Sequence, residues 1–200
     1  MSFKSELQSV VTVYQNNLNS AIKQINETAE GGNYTPQGLE NRVREINAEF
    51  QATAEIYQER GLQIISQAEE YLKSKNQENT VNNLRDPGYQ AGLVNVLKMI
   101  EKGILSEDDF KNVIAAYKDD ALSMKSIRMA LPMGKENGAV LSQYIPPSLE
   151  DNLEVFEKLR KNVRKFIRPV SANNNYGVLM SVGWLQEALK NLDDNLQLVE

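Results

Sequence analysis

Cysteine and histidine are both absent from the 200 residues of this chain. The absence of cysteine excludes disulfides and leaves the redox compartment open. The absence of histidine as well excludes the usual zinc sites, the Ser-His-Asp and Cys-His nucleophiles, and the Glu-x-x-His di-iron bundle. Most familiar helical enzymes are therefore excluded. We expect a protein that is not an enzyme and that has no catalytic residues, cofactors or metal ligands.

Long apolar runs are missing too. No stretch approaches eighteen consecutive apolar residues, and the N-terminus has polar residues every two to four positions. We therefore expect no membrane association, no signal peptide, and a cytoplasmic or virion location. The net charge of -5 is mild and acidic, which disfavours general affinity for nucleic acid or anionic membranes but does not exclude a local basic face.

Helical periodicity is what the sequence does have, within an ordinary globular composition. The spacing of apolar residues predicts one long amphipathic helix over residues 36–72, which would span roughly 55 Å and needs packing partners. Its stripe follows alternating steps of four and three, with one extra step of four: Leu39, Val43, Ile46, Phe50, Thr53, Tyr57, Gly61, Ile64, Ala68 and Tyr71.

A shorter helix over residues 5–28 is predicted before it, on a similar stripe that runs from Leu7 to Ile25. The joint between them, Gly-Gly-Asn-Tyr-Thr-Pro, is typical of a helix end followed by a new start, with Thr35 as cap and Pro36 at the first helical position. A short joint between two striped helices predicts an antiparallel, coiled-coil-like hairpin over residues 1–75.

Residues 76–86 are polar and predict a linker or mobile loop. Residues 87–200 predict a bundle of about four shorter helices. Asp86 and Pro87 are expected to start the first of them, Gly103 to end it, and Ser106 with Asp109 to form a capping box for the next, which should run to Pro132. Residues 139–145 fit a strand, a helix or a loop. The predicted fold class is all-α.

The closing helix is predicted to be the most regular, with heptad steps at Val178, Val182, Leu185, Leu189, Leu192, Leu196 and Val199. Such a stripe either closes a bundle or offers a seam to another subunit, and Leu179 and Leu198 widen it in favour of a bundle helix. The predicted partner-binding residues, on this seam and on the overhang of the long helix, are Ile64, Tyr71, Leu72, Trp184, Leu189, Leu192 and Leu196.

A basic segment over residues 158–168 is the sharpest alternative. Arg160, Arg164, Lys165 and Arg168 would be its phosphate contacts. However, ion pairs along the helix and cations at its C-terminus explain the same pattern without a ligand, and we favour that interpretation. The acidic clusters 107–109, 119–120 and 193–194 are interpreted as capping and solubility, because adjacent helical residues point about 100° apart.

These patterns predict a non-enzymatic structural or assembly protein. We expect it to self-associate, or to bind a protein partner, through apolar helical seams. The setting we favour is a scaffolding, connector or internal component of a phage-like particle. The alternative is a nucleic-acid-associated regulator or packaging accessory that uses the basic segment. The oligomeric state and the identity of the partner are left open.

Overall fold

A computed structural model describes residues 1–132, 136–173 and 176–198 of the chain. In these ranges it has eight helices, and it shows no strand there beyond one isolated antiparallel bridge between Leu192 and Leu198. The helices are α1 (Phe3–Glu30), α2 (Pro36–Arg85), α3 (Pro87–Lys102), α4 (Glu107–Tyr117), α5 (Ala121–Ala130), α6 (Glu136–Ser142), α7 (Leu149–Phe166) and α8 (Tyr176–Lys190).

The all-α prediction is confirmed: two long N-terminal helices pack against each other, and shorter helices follow. Two contacts show that α1 and α2 run antiparallel. Arg60 pairs with Glu6 at 3.2 Å, and the rings of Tyr14 and Phe50 lie 5.7 Å apart between centroids, so residues later in α1 meet residues earlier in α2.

By its internal contacts the chain divides into two compact units. The first comprises Met1–Glu69 and Glu154–Glu200, and the second comprises Glu70–Leu153. The predicted division into a hairpin domain over 1–75, a linker over 76–86 and a bundle domain over 87–200 stays a prediction.

Three helices of the first unit approach one another closely at Gly61. A Cβ at this position would lie 3.2 Å from Val163 Cγ1 of α7 and 3.5 Å from Leu7 Cδ1 of α1, so glycine is what lets three helices meet here. The core around the junction is formed by the predicted stripes, which are buried at Leu7, Val11, Tyr14, Leu18, Ile46, Phe50 and Ile64.

The second unit has a separate core built from short helices. It contains Leu93, Ile100, Phe110, Ile114, Tyr117, Met124, Ile127, Leu131 and Ile145. The predicted caps that orient these helices are confirmed. Gly103 is left-handed with φ 67°, Ser106 and Asp109 form a capping box, and Asp86 caps α3 ahead of Pro87.

The predicted linker over residues 76–86 is wrong in its secondary structure, because α2 continues to Arg85. Residues 75–85 contain neither glycine nor proline to end a helix. Their polar side chains bind the α4–α5 junction instead of an apolar core. Asn79 donates to the carbonyl of Asp119 at 3.0 Å, and Thr80 and Asn83 donate to the carboxylate of Asp120.

Two further helix predictions are wrong. The helix expected to run from Ser106 to Pro132 breaks into α4 and α5, because Asp120 caps a new helix start. The closing helix ends at Lys190 and does not reach Val199, which lies outside the described residues.

The segment after this helix forms a turn. Asp193 Oδ1 accepts hydrogen bonds from two backbone N–H groups there, and Leu196 has a φ of 62°. Within 139–145, the first four residues belong to α6 and the rest form a turn.

Candidate functional site

One face of helix α8 packs against the rest of the first unit. Val182, Leu185 and Leu189 are at most 1% exposed, and α8 packs along α1. Polar contacts with α1 hold the same arrangement. Gln186 Nε2 donates to Thr12 Oγ1 at 3.2 Å, and Lys4 Nζ donates to the carbonyl of Lys190 at 3.0 Å. The inward stripe is the predicted heptad stripe, and the chain itself covers it.

The opposite side of α8 carries large apolar side chains in solvent. Met180 and Trp184, one turn apart, are 63% and 65% exposed. We call Gly177, Met180, Ser181, Trp184 and Ala188 the outer face of α8, since helical spacing puts them on one side. Trp184 is the only tryptophan in the chain. Burying a side chain of this size is worth roughly 2–3 kcal/mol, which the isolated chain does not gain.

The outer face is also without charge along most of its length. Residues 176–186 contain no Asp, Glu, Lys or Arg, although charged residues make up 24% of the chain. The first charged residue of the helix, Glu187, pairs with Lys190 at 2.6 Å near its C-terminal end. Depletion of charge around an exposed aromatic residue is typical of the centre of a protein–protein interface.

Two glycines of α8 have no explanation within the described part of the chain. A Cβ added to Gly177 or Gly183 would meet none of the described atoms within 4 Å, and neither residue has a positive φ. Gly183 lies inside the helix, where glycine costs roughly 0.5–1 kcal/mol relative to alanine. A second helix could approach closely at this point, because there is open space beside the exposed tryptophan.

Five of the seven predicted partner-binding side chains are covered by the chain itself. Ile64, Leu72, Leu189, Leu192 and Leu196 are between 0% and 8% exposed. Their assignment to a free seam is therefore wrong in this structure, because the stripes on which they lie form intrachain cores.

The remaining two predicted side chains, Tyr71 and Trp184, are 44% and 65% exposed. The predicted set did not include Met180. The signal that would have identified it is the four-residue step from Met180 to Trp184 within the uncharged stretch 176–186.

Three of the four side chains of the basic segment that were predicted to contact phosphate are exposed to solvent. Arg164, Lys165 and Arg168 are exposed, whereas Arg160 has a side chain only 17% exposed and pairs with Glu69 and Glu157. Burial alone would lower the pKa of Arg160, but hydrogen bonds from Arg160 to the two carboxylates raise it. Arg160 is thus a structural ion-pair residue, which is a correction to its predicted role.

Asp120 is the most enclosed carboxylate among the described residues, and its neighbours explain it fully. It accepts hydrogen bonds from Ser123 Oγ at 2.7 Å, Tyr89 Oη at 3.1 Å and Thr80 Oγ1 at 3.1 Å, and it caps α5. Burial raises its pKa, but these donors more than offset the effect, so the pKa is lowered. Burial and the nearby carboxylate raise the pKa of Tyr89 to about 12. This cluster stabilises the fold and leaves no position open for a substrate.

Members of each predicted acidic cluster lie at helix starts or in turns, where they have the predicted capping role. Glu107, Asp108 and Asp109 occupy the first turn of α4, and Asp120 and Asp193 bind backbone N–H groups. Among the described residues, no group of three or more carboxylates could hold a metal ion.

A shallow groove of about 150 Å³ lies between α1 and α2. Ala21, Ile46 and Phe50 contribute its apolar part, and polar side chains such as Asn17 and Glu49 line the rest. The groove is open to solvent and holds one carboxylate, so it has no arrangement of groups that would do chemistry.

None of the described helices is long and apolar enough to cross a membrane. Comparisons of the chain with protein-family models, curated proteins and solved structures gave no match. The outer face of α8 is therefore the candidate site that the geometry supports best.

Proposed function

We propose that this chain is a non-enzymatic assembly protein that self-associates or binds a protein partner through the outer face of α8. The observation that carries the proposal is the exposed pair Met180 and Trp184 on the uncharged stretch 176–186 of a helix whose opposite face packs against α1. A rigid scaffold that presents an aromatic anchor is how helical proteins offer a docking surface.

The physical reason is that the large apolar side chains of this face remain in water, so the free energy of burying them is not gained. An exposed tryptophan with an apolar neighbour gains stability only when a second surface excludes water from both. The setting we favour is still a scaffolding, connector or internal component of a phage-like particle, because such components act through contacts between subunits.

Site-specific photocrosslinking tests the proposal directly. A benzophenone amino acid in place of Met180 should give discrete protein adducts in cells that express the chain. The matched control is the same substitution at Ile56, which is also 65% exposed but lies on α2. Equal adduct patterns at Met180 and Ile56 would show that the outer face of α8 has no special affinity for protein.

One observation supports a second function, which is contact with nucleic acid. Lys161, Arg164, Lys165 and Arg168 are all exposed. Helical spacing puts the first three on one side of α7, and Arg168 follows two residues after the helix ends. Such a row of cations fits phosphate contact by a packaging accessory or regulator. Binding of labelled DNA or RNA should then weaken steeply with salt and be lost in the Arg164→Glu, Arg168→Glu double variant. Unchanged binding by that variant would reject this function.

A further inference from the structure

We infer that the occupant of the outer face of α8 is a second copy of this chain, with the two α8 helices packed antiparallel about a two-fold axis. The inference rests on the proposed function and narrows it from a protein partner to self-association. In this arrangement Trp184 of each copy lies beside Met180 of the other and over its Gly177 and Ser181.

Shape is the first support, because the outer face carries both a ridge and the groove that such a ridge needs. Met180, Trp184 and Ala188 follow one another at steps of four and form the ridge. Gly177 and Ser181 form the neighbouring row, where side chains are small, and a Cβ on Gly177 would meet none of the described atoms within 4 Å. A two-fold interface requires a surface that fits itself, and a ridge beside a groove does so.

Gly183 lies on the other flank of the ridge, and it too leaves open space where a side chain would stand. That flank also carries Glu187 one turn later, so the open space on this side is confined to the stretch around Gly183. Thioether sulfur against an aromatic ring is also a favourable contact, and the antiparallel arrangement makes it twice, once for each Met180 and Trp184 pair.

Charge is the second support. The chain carries a net charge of -5, so two copies repel each other over most of their surfaces. Residues 176–186 carry no charge, and they form the stretch on which two copies meet without bringing like charges together. A strongly acidic or basic partner would find no complementary charge along this stretch.

The size of the face sets the expected strength. Helices that pack by ridges at four-residue spacing cross at about 50°, so the contact covers only about two or three turns of each helix. An interface of this kind buries less than about 1,200 Å², which is the range of weak and transient association. We therefore expect a dimer that forms at tens to hundreds of micromolar protein.

The experiment uses the full chain and its single tryptophan as a built-in probe. Sedimentation equilibrium from about 10 µM to 0.5 mM, a range that brackets weak association, should show a monomer–dimer equilibrium. Over the same range the emission of Trp184 should shift to shorter wavelength and become less accessible to acrylamide. A chain that stays monomeric, with emission independent of concentration, would overturn the inference.

Gly177→Leu is the decisive variant, because the added side chain fills the proposed groove and meets none of the described atoms near its Cβ. We expect it to weaken dimerisation at least tenfold while Trp184 remains as the probe. Ile56→Ser, which removes an equally exposed apolar side chain elsewhere, should leave dimerisation unchanged. Dimerisation of Gly177→Leu at wild-type strength would reject the α8 interface.

Cysteine crosslinking provides an independent readout of which surfaces meet, since the chain has no native cysteine. Ser181→Cys should form disulfide-linked dimers under mild oxidation much faster than Ser66→Cys, its half-buried counterpart on α2. Equal rates would count against the two-fold arrangement. If the wild-type chain is monomeric but the Met180 photocrosslinker captures a different protein, self-association fails and the broader proposed function stands.

Discussion

Replacing Asp120 with alanine should strongly destabilise the second unit. The carboxylate is 3% exposed and joins three elements: the end of α2 through Thr80 and Asn83, α3 through Tyr89, and the start of α5. Alanine would remove the acceptor that all of these donors share. It would also leave the first turn of α5 without its cap.

The magnitude follows from two effects. Loss of an N-cap aspartate costs about 1 kcal/mol. Loss of the acceptor strands the buried hydroxyl of Ser123, at about 1–3 kcal/mol, whereas the partly exposed hydroxyl of Thr80 can bind water instead. Tyr89 keeps Ser123 Oγ as a partner at 3.1 Å. The free energy of unfolding should therefore fall by about 2–4 kcal/mol.

Urea denaturation followed by far-ultraviolet circular dichroism measures the loss. The packed Tyr89 and Tyr117 rings of this unit contribute to the near-ultraviolet signal, which provides a second probe. The control is Asn79→Ala, which removes only an exposed hydrogen bond to the Asp119 carbonyl and should cost less than about 1 kcal/mol. A loss for Asp120→Ala no larger than that of the control would refute the reasoning that this carboxylate holds the helices together.

The stability of the chain should also depend on pH, on one buried hydroxyl and on the space beside Gly61. Since the pKa of Asp120 is lowered in the folded state, its stabilisation is fully present above the unfolded-state pKa of about 3.9 and is lost as the pH falls from there through the folded-state value. The free-energy difference between wild type and Asp120→Asn should shrink over that window, and a constant difference from about pH 6 to pH 2 would contradict this. Tyr14→Phe should cost about 1 kcal/mol in urea unfolding, because the buried hydroxyl donates to the Arg168 carbonyl at 2.9 Å; no loss would mean that water replaces the bond. Gly61→Val should cost about 1–3 kcal/mol by overpacking against Val163. The comparison is Gly183→Val inside α8, where an added Cβ has no described neighbour beyond its own helix within 4 Å, and equal costs would refute the junction at Gly61.

The parts of the fold that were predictable are those in which neighbouring residues determine the outcome. The stripe from Leu7 to Ala21 is buried as its spacing predicts, and the caps at Asp86, Gly103 and Ser106 depend on side chains within three residues of the helix end. Such local signals need no knowledge of the rest of the chain.

The parts that were not predictable depend on residues far away in sequence. Asn79 and Asn83 have the composition of a loop, but they are helical and bind the α4–α5 junction about 40 residues later. Asp120 has the sequence surroundings of a solubilising surface acid, yet it is an enclosed helix cap. In both cases a polar side chain stabilises a helix through a tertiary contact that no periodicity reports.

Trp184 was among the predicted partner-binding residues, whereas Met180 was missed for a different reason, which itself supports the proposal. A helix that is apolar on all sides is ordinarily buried on all sides. In α8 the heptad stripe accounts for the face on α1, and its spacing carries no information about the opposite side. Met180 and Trp184 form a second apolar row, which the described chain leaves exposed. A partner that covers this row would enclose the uncharged stretch 176–186 on both sides, and a second copy of the chain offers a matching face.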